Sequence, residues 1–290
     1  MKKVLITGKN SYIGTSLERW LERYLGEFEV DTLDMRNPEW KEHDFSAYDS
    51  VFHVAGLAHS DTGKASEETK RLYYRVNTDL TIETAQKAKD DGVKQFIFMS
   101  SIIVYGESGR IGEKKVITRE TKPNPANFYG DSKLQAEIGI EKLASDDFKV
   151  AILRPPMIYG KGSKGNYPKL AKLAKVLPVF PDIENERSVL HIDNLTEFLK
   201  HIIVENDGGY FYPQNSEYVK TSDFVRVISE IHGKKTLLTK LGNPLIRLVS
   251  KRVGLVNKVF GNLSYDLGMS EYSKSYDIRG FEKSVELTEN

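Results

Sequence analysis

A tyrosine and a lysine four residues apart form the pair best suited to chemistry in this sequence. Tyr129 and Lys133 stand in Tyr-Gly-Asp-Ser-Lys, within a stretch from 128 to 143 that predicts a helix. A spacing of four places both side chains on one helix face, where the ammonium can act on the phenol. A free tyrosine has a pKa of about 10, and a nearby cation lowers it towards the pH where a general acid or base is most effective. The alternative is a surface helix with an ordinary i,i+4 pair.

Two serines follow a predicted strand and could share a substrate with that pair. Ser100 and Ser101 come directly after the run from Gln95 to Met99. Ligands of open parallel sheets bind at the carboxyl ends of the strands, so a serine there can hydrogen-bond the reacting oxygen. Together these residues predict an enzyme that transfers a proton to or from a hydroxyl group of its substrate.

A glycine-containing turn near the N-terminus favours a bound dinucleotide. The predicted strand 4–6 runs into Thr7-Gly8-Lys9-Asn10-Ser11-Tyr12-Ile13-Gly14 and then a helix. Gly8 can make the tight turn, Gly14 allows close helix–sheet contact, and the helix N–H groups can receive a pyrophosphate. Ser11 stands where a third glycine is expected, so we expect its side chain to crowd the phosphate. The alternative is an ordinary strand–turn–helix with two incidental glycines.

Asp34 bears on which dinucleotide binds. It lies twenty residues after Gly14, at the end of the predicted strand 28–33. A carboxylate there accepts hydrogen bonds from the ribose hydroxyls, which favours NAD. Arg36 and Lys9 place cations near the same ribose that could neutralise a 2′-phosphate, so NADP remains the alternative cofactor. Either cation could equally be a solvated surface charge.

The elements that must position these residues alternate between short β-branched runs and longer amphipathic stretches. This alternation predicts an α/β fold with a Rossmann-like doubly wound parallel sheet. The predicted strands are 4–6, 28–33, 50–55, 95–99 and 149–154, and the predicted helices are 16–24, 67–89, 128–143, 194–205 and 222–232. We predict an NAD(P)-binding domain over 1–160, with strands returning from 185–215, and a smaller, mainly substrate-binding α/β domain over 161–290.

Composition excludes several other classes of protein. Lysine and arginine total 42 against 41 aspartates and glutamates, so with a net charge of +1 no global field recruits nucleic acid or an anionic membrane surface. Specific local patches stay open. The absence of cysteine excludes disulfides, thiol nucleophiles and iron–sulfur clusters, and fits a cytoplasmic protein. No metal site is expected, because the histidines have no metal-ligand spacing. Those considered are His53, His59, His191 and His201.

Several segments together resemble the extended short-chain dehydrogenase/reductases, specifically the nucleotide-sugar epimerase/dehydratase group. They are Thr7-Gly8 to Ile13-Gly14, Asp44-Phe45, His53-Val54-Ala55-Gly56, Asn77, Ser100 to Gly106, Tyr129 to Lys133 and Arg154 to Gly160. The resemblance covers nearly the whole chain and implies that Ser101, Tyr129 and Lys133 form a catalytic triad. It also implies cofactor contacts: Asp44 and Phe45 at the adenine, the backbone of Val54, Ala55 and Gly56 along the cofactor, Asn77 as a brace, and Pro156 near the nicotinamide carboxamide.

The later part of the match implies a substrate. The segments 162–166 and 187–195 are similar to the family's segments for a nucleotide diphosphate, and the resemblance implies substrate contacts for Tyr105, Asn166 and Arg187. The planar fork of Arg187 suits phosphate oxygens. The resemblance further implies a homodimer through the helices that bear Asn77 and Tyr129.

The sequence departs from the family pattern at two places, and the second of them limits the choice of reaction. Ser11 replaces the middle glycine of the dinucleotide loop. Ile102 and Ile103 occupy the positions where 4,6-dehydratases carry an Asp-Glu pair, and isoleucines can neither donate nor accept the protons of a dehydration. We therefore exclude a dehydratase.

Two reactions at sugar C4 remain, with the same core residues. One is 4-epimerisation of a UDP-N-acetylhexosamine, which we favour; the other is 4-reduction of a UDP-4-keto-6-deoxy-N-acetylhexosamine. The segment from Ala55 to His59 looks most like relatives that act on N-acetylated hexosamines in bacterial surface-polysaccharide synthesis. A dinucleotide-binding protein without turnover is a third reading, but such proteins typically lose the tyrosine or lysine that are both kept here.

A basic amphipathic tract runs from Asn243 to Phe260. One interpretation is a helix that covers the substrate domain, with its cations in solvent. The other is contact with a membrane interface, which would suit a sugar carried on a lipid diphosphate.

Overall fold

The protein is described by a computed structural model over residues 1–58, 65–250 and 254–290. Contacts divide the chain into two compact units. The first comprises Met1–Gly106, Lys122–Pro155 and Leu195–Pro213, and the second comprises Glu107–Thr121, Pro156–Asn194 and Gln214–Asn290. The sequence predicted a boundary at residue 160, whereas the chain crosses between units several times, once at Pro155–Pro156.

The described residues contain twelve strands and ten α-helices. The strands are β1 (Lys2–Thr7), β2 (Phe28–Leu33), β3 (Ser50–His53), β4 (Gln95–Met99), β5 (Val116–Ile117), β6 (Lys149–Leu153), β7 (Met157–Tyr159), β8 (Val179–Pro181), β9 (Val189–His191), β10 (Gly209–Phe211), β11 (Leu237–Thr239) and β12 (Ser264–Tyr265). The helices are α1 (Tyr12–Leu21), α2 (Glu67–Tyr74), α3 (Leu80–Asp90), α4 (Phe128–Glu141), α5 (Asn166–Ala174), α6 (Ile192–Glu205), α7 (Thr221–Ile231), α8 (Asn243–Ser250), α9 (Gly254–Phe260) and α10 (Phe281–Glu289).

A six-stranded parallel sheet forms the first unit and confirms the predicted Rossmann-like α/β fold. Its strand order is β10-β6-β4-β3-β1-β2. The chain moves outward from β1 to β2 and then returns to the other side of β1 at β3. Ligands of such sheets bind in the crevice at the carboxyl ends of the strands where the order reverses. The residues that follow β1 and β3 therefore lie where a dinucleotide is expected.

The hydrophobic pattern explains why these strands occupy the centre of the unit. Leu5 of β1, Val51 of β3 and Phe98 of β4 are completely buried. Strands that are covered on both faces read as nearly continuous apolar runs, as β4 does in Gln-Phe-Ile-Phe-Met.

The predicted helix over 67–89 is interrupted. Its first half is α2 and its second half is α3, and a π-helical turn at Arg75–Asp79 separates them. Such turns shift the side chains that follow and occur frequently at functional sites. The turn carries the predicted cofactor residue Asn77, which is completely buried.

The second unit has three two-stranded parallel sheets, which pair β7 with β9, β8 with β11 and β5 with β12. Aromatic rings fill its core. Tyr159 stacks on Tyr167 with ring centroids 5.4 Å apart, and Phe224 meets Phe281 edge to face at 4.9 Å. None of the described helices is long and apolar enough to cross a lipid bilayer.

Candidate active site

The three predicted catalytic residues all belong to the first unit. Ser101 follows β4, whereas Tyr129 and Lys133 lie on α4, which begins after the capping residue Asn127. Gly130 allows this helix to approach the turn after Ser101, because a Cβ atom at Gly130 would lie only 2.8 Å from the carbonyl oxygen of Ile103. The close approach brings the Ser101 hydroxyl within reach of the Tyr129 phenol, with which it interacts.

The protonation of Tyr129 differs from the sequence-based expectation. Burial raises the pKa of Tyr129 to about 12, and the hydrogen bond with Ser101 opposes this rise. Lys133 is not one of the groups that shift this pKa, because its Nζ donates to the carbonyl oxygen of Met99 at 2.8 Å and lies over the Phe98 ring. The four-residue spacing fixes a shared face of the helix but not the direction in which the ammonium turns. A lowering of the Tyr129 pKa by Lys133 together with a nicotinamide stays a prediction.

Lys133 is itself perturbed. Its side chain is buried, and desolvation lowers its pKa to about 8, while the charge of Glu137 opposes this effect. A Cβ atom added at Gly56 would lie 3.3 Å from the Lys133 Nζ and 3.1 Å from the Asn77 Oδ1. Gly56 therefore keeps the space beside the ammonium open.

Asn77 ties the loop after β3 to helix α4. Its Oδ1 accepts a hydrogen bond from the Leu57 N–H at 2.7 Å, and its Nδ2 donates to the Leu57 carbonyl oxygen at 3.2 Å and to the Ser132 hydroxyl at 3.1 Å. This geometry supports the bracing role that the resemblance implied. Direct contact of Asn77 with a cofactor stays a prediction.

A buried ion pair escaped prediction from the sequence. Arg154 donates from Nη2 to the Glu137 Oε2 at 2.6 Å and from Nε to Oε1 at 3.1 Å. The Ser100 hydroxyl donates to the same carboxylate. Glu137 follows Lys133 by four residues and Tyr129 by eight, so the same helical spacing, continued one more turn, would have indicated it. The pair fixes the strand end from which Ser101 extends.

Tyr105, predicted to contact substrate, belongs to this network. Its hydroxyl accepts a hydrogen bond from the Arg154 Nη1 at 2.6 Å, and the residue is only 6% exposed. Burial raises the pKa of Tyr105 well above its usual value. The observed contacts give Tyr105 a supporting place behind Ser100, and its substrate contact stays a prediction.

The loop after β1 requires glycine at one position. Gly8 has a φ of +120°, and a Cβ atom there would lie 2.8 Å from the backbone nitrogen of Ala55. The Val54 and Ala55 N–H groups both donate to the carbonyl oxygen of Thr7, at 3.0 and 2.9 Å. The ends of β1 and β3 therefore come together where the sheet order reverses, as a dinucleotide crevice requires.

Ser11 fits this loop without strain. Its φ of −70° and ψ of 146° are ordinary extended values, and the left-handed residue is instead Asn10, with a φ of 64°. Ser11 caps α1, which begins at Tyr12 rather than at the predicted residue 16, and its hydroxyl accepts a hydrogen bond from the Gly14 N–H at 3.2 Å. The Ile13 N–H remains in the first turn, where helices bind anions. The loop thus fits a pyrophosphate, although one donor is already used.

A cavity of about 310 Å³ lies beside Asp34. Arg36 donates to both carboxylate oxygens of Asp34 and lowers the pKa of that carboxyl to about 2. The cavity is lined by Leu33, Asp34, Asn37, Glu39, Trp40 and His43. Asp44 is exposed, whereas Phe45 is completely buried in the core. Their contact with an adenine ring stays a prediction.

Arg187, in the second unit, is held by carbonyl groups alone. Its Nη1 donates to the carbonyl oxygens of Lys258 at 3.1 Å and Gly261 at 3.0 Å. Desolvation lowers the pKa of Arg187 to about 10, and no carboxylate among the described residues pairs with it. Asn166 is exposed at the start of α5, and Pro156 is buried between β6 and β7. Their contacts with substrate and nicotinamide stay predictions.

The histidines do not gather into a metal site in the described parts of the chain. His53 lies between the hydroxyls of Thr7 at 2.7 Å and Thr81 at 3.1 Å, and it stacks on Phe96. Burial lowers its pKa to about 3, so it is a neutral packing residue at physiological pH. His59 lies outside the described residues.

The chain is similar to known proteins over most of its length. The chain is 30% identical to a UDP-glucose 4-epimerase of Vibrio cholerae, covering 92% of this chain and 88% of that one. It is 29% identical to an N-acetyl-alpha-D-glucosaminyl-diphospho-ditrans,octacis-undecaprenol 4-epimerase of Escherichia coli O157:H7, covering 89% and 81%. The fold is similar to that of a dTDP-4-dehydrorhamnose reductase from Bacillus anthracis in complex with NADP, with a TM-score of 0.71, 18% identity and coverage of 99% and 98%.

The first unit carries the features that a nicotinamide enzyme needs: the reversal of the sheet, the glycine loop after β1 and the Ser–Tyr–Lys group beside it. Residues 4–211 match the NAD dependent epimerase/dehydratase family. Because that match spans most of the chain, the protein is an NAD(P)-dependent, sugar-modifying enzyme that belongs to the NAD-dependent epimerase/dehydratase family.

Proposed function

We propose that this protein is a 4-epimerase of a UDP-N-acetylhexosamine. The observation that carries the proposal is the packing of α4 on the turn after Ser101, together with the hydrogen bond from Lys133 to the Met99 carbonyl oxygen. It brings Ser101, Tyr129 and Lys133 together at the end of β4, where they can serve as a proton-transfer group for a sugar hydroxyl. Two relatives that share most of their length with this chain are named as 4-epimerases, which supports the reaction.

Three residues of the chain, Ser101, Tyr129 and Lys133, each have a part in this reaction. Tyr129 takes the proton from the C4 hydroxyl and later returns it, and Ser101 hydrogen-bonds the same oxygen. Lys133 supplies a positive charge to the cleft beside Gly56. A bound oxidised NAD(P) would supply the acceptor that takes the hydride from C4 and returns it to the opposite face of the sugar, so that no cofactor is consumed. Its positive charge would also favour loss of the Tyr129 proton, since burial has raised the pKa of Tyr129.

Arg187 supports a diphosphate-linked substrate. Its guanidinium is desolvated and has no carboxylate partner among the described residues. A diphosphate would supply the missing negative charge, and the planar fork would bind two of its oxygens.

Ile102 and Ile103 argue against dehydration, as they did in the sequence. Ile102 is 8% exposed, and neither side chain can carry a proton. The 4-reductase uses the same described residues, so cofactor consumption must distinguish it from the epimerase.

A second candidate substrate carries its sugar on a polyprenol diphosphate instead of on UDP. The relative from E. coli is named for a sugar on a polyprenol diphosphate, which also presents a diphosphate to Arg187. Exposed leucines on α8 favour this carrier, because they give the chain an apolar surface suited to a lipid.

The proposal includes a homodimer in the cytoplasm that serves polysaccharide synthesis. The exposed side chains of Leu72 on α2 and Ile138 on α4 support an interface through the helices near Asn77 and Tyr129. Sedimentation velocity should give twice the mass of the chain.

The test is turnover of defined sugars by purified protein. We expect conversion of UDP-GlcNAc to its C4 epimer without net consumption of cofactor, followed by NMR of the anomeric protons. Tyr129→Phe should lower kcat by about 10²–10⁴-fold, because the proton-transfer group is lost. Tyr24→Phe, which removes a hydroxyl that contacts Glu197, is the matched control and should leave kcat unchanged.

Three outcomes would overturn parts of this proposal. Full activity of Tyr129→Phe would remove the mechanism. Stoichiometric oxidation of NAD(P)H on the 4-keto-6-deoxy derivative, with no epimerisation, would make the protein a reductase. Inertness towards both sugars, with NAD still bound, would favour a dinucleotide-binding protein without turnover.

A further inference from the structure

Helix α8 directs a stripe of apolar side chains into solvent. Leu245 and Leu248 are 65% and 62% exposed, and Leu241, just before the helix, is 92% exposed. Leu245 and Leu248 are three residues apart, which places them on one face of the helix, and the exposed Val249 borders that face. The opposite face is anchored by the buried Ser250. The helix therefore turns its apolar side outward.

This orientation is the reverse of the usual one. A surface helix normally places its apolar stripe against the core and its polar face in water. Single exposed apolar residues are common, but a contiguous exposed group indicates a surface that binds a protein partner or a membrane. β11 leads into this helix, and its Leu237 is also exposed beside Val179 of β8.

The segment that carries the stripe is basic in sequence, and two of its lysines pair with carboxylates from other segments. Residues 231–265 contain seven lysines and arginines and no aspartate or glutamate, although the whole chain carries a net charge of only +1. Elsewhere in the fold, Glu184 contacts Lys240 at 3.4 Å and Glu107 contacts Lys258 at 3.3 Å. Arg247, on α8 itself, is exposed and has no carboxylate partner among the described residues.

We propose that this leucine stripe, formed by Leu241, Leu245, Leu248 and Val249, docks on the surface of an anionic phospholipid bilayer. Apolar side chains that enter the interface, flanked by cations that attract acidic headgroups, are the features of interfacial helices. Two helical turns bury few side chains, so binding is weak and reversible. A second copy of this chain fits the surface less well, because symmetric contact would bring two basic segments together.

The same part of the chain fixes Arg187. The Asn257 side chain of α9 donates to the Ser250 carbonyl oxygen at 3.0 Å, which ties α9 to α8. Carbonyl oxygens at and just beyond the end of α9, from Lys258 and Gly261, hold the Arg187 guanidinium. If the lipid-linked carrier proposed above is correct, docking would present a membrane-anchored diphosphate to this arginine. That link rests on the proposed function, but the docking surface does not.

The experiment is co-sedimentation of the full chain with vesicles of phosphatidylcholine alone or of phosphatidylcholine with phosphatidylglycerol. We expect binding to the anionic vesicles only. Leu245→Glu/Leu248→Glu should weaken partitioning by about tenfold or more, because two apolar anchors are lost. Arg247→Gln should weaken it by about fivefold, the effect of one cation near an anionic surface.

Leu25→Glu is the matched control, because Leu25 is 91% exposed outside this surface, and it should bind as the unchanged protein does. Turnover of UDP-linked sugar should be unaffected in the double variant. Equal sedimentation of all variants, or no vesicle binding, would overturn the proposal. A lipid-free dimer that dissociates only in the double variant would assign the surface to a second copy. Vesicle binding without any sugar turnover would leave docking intact and remove the proposed function.

Discussion

Arg154 is buried and Arg187 is partly buried, and their charges are balanced in opposite ways. In the first unit, burial lowers the pKa of Arg154, but the hydrogen bonds and charge of Glu137 raise it above its usual value. In the second unit, Arg187 contacts only carbonyl oxygens, and desolvation lowers its pKa to about 10. One arginine carries its counter-ion within the fold, and the other does not.

The difference distinguishes an arginine that is paired within the fold from one that is available to an anion. Buried His53 becomes neutral, but a guanidinium cannot release its proton near neutral pH. A desolvated arginine without a carboxylate therefore favours any anion that reaches it, whereas a paired one has no charge to offer. We therefore propose that the substrate diphosphate binds at Arg187 rather than at Arg154.

The largest expected effect comes from breaking the satisfied pair. Glu137→Gln should lower the free energy of unfolding by about 3–5 kcal/mol, because it leaves Arg154 charged and buried without its partner. Urea denaturation would measure the change. The double variant Glu137→Gln/Arg154→Met should recover much of the loss, since no uncompensated charge remains.

Glu83→Gln provides the control for that measurement. Glu83 also lies on a helix and pairs with Lys41, but both side chains are more than half exposed. Its loss should cost less than about 1 kcal/mol. If Glu137→Gln were no more destabilising than Glu83→Gln, the contrast between the two arginines would lose its basis.

A smaller effect, on binding rather than stability, is expected at Arg187. Arg187→Met should raise KM for a diphosphate-linked sugar by about 10–100-fold, the contribution of charge-assisted hydrogen bonds. Stability without substrate should stay constant or rise, because an uncompensated charge is removed. Steady-state kinetics and urea denaturation of the same preparation would measure both quantities.

Arg226→Met tests whether any arginine of the second unit has this effect. Arg226 pairs with Glu230 on the surface of α7, so its replacement should leave KM unchanged. Arg187→Lys should restore only part of the affinity, because an ammonium lacks the planar fork. An unchanged KM in Arg187→Met would place the diphosphate elsewhere.

Local features of this molecule could be predicted from the sequence. The strands at 28–33 and 95–99 have the predicted bounds, because a short β-branched or aromatic run between turn residues determines them locally. The common face of Tyr129 and Lys133 likewise follows from helical spacing alone.

The hydrogen-bond and ion-pair partners of individual side chains could not be predicted in the same way. The direction of the Lys133 ammonium depends on where β4 places the Met99 carbonyl oxygen, and Glu137 finds Arg154 at the end of another strand. The π turn that bears Asn77 interrupts a stretch whose periodicity predicts one continuous helix. Each of these features depends on contacts between residues that are distant in sequence. A short window of the sequence contains no information about such contacts.

The smallest expected effect concerns the N-terminus of α1. Like Arg154 it already donates to a group of the fold, and like Arg187 it still has donors that an anion can use. The first turn of α1 offers N–H groups to a pyrophosphate, but Ser11 already occupies the Gly14 N–H. Ser11→Gly frees this donor and should tighten NAD binding by about 2–10-fold, the worth of one hydrogen bond. The free energy of unfolding should fall by only a few tenths of a kcal/mol, roughly the cost of glycine at a helix cap.

Ser11→Ala distinguishes the two ways in which Ser11 can act on the cofactor. Alanine removes the hydroxyl but keeps the Cβ atom, and it should cost about 1 kcal/mol of stability as a poor cap. Calorimetric titration with NAD should then show equal tightening in both variants if the captured N–H is the cause. Tightening in Ser11→Gly alone would mean that the Cβ atom crowds the phosphate, as the sequence suggested. Unchanged affinity in both variants would show that the pyrophosphate does not use the Gly14 N–H.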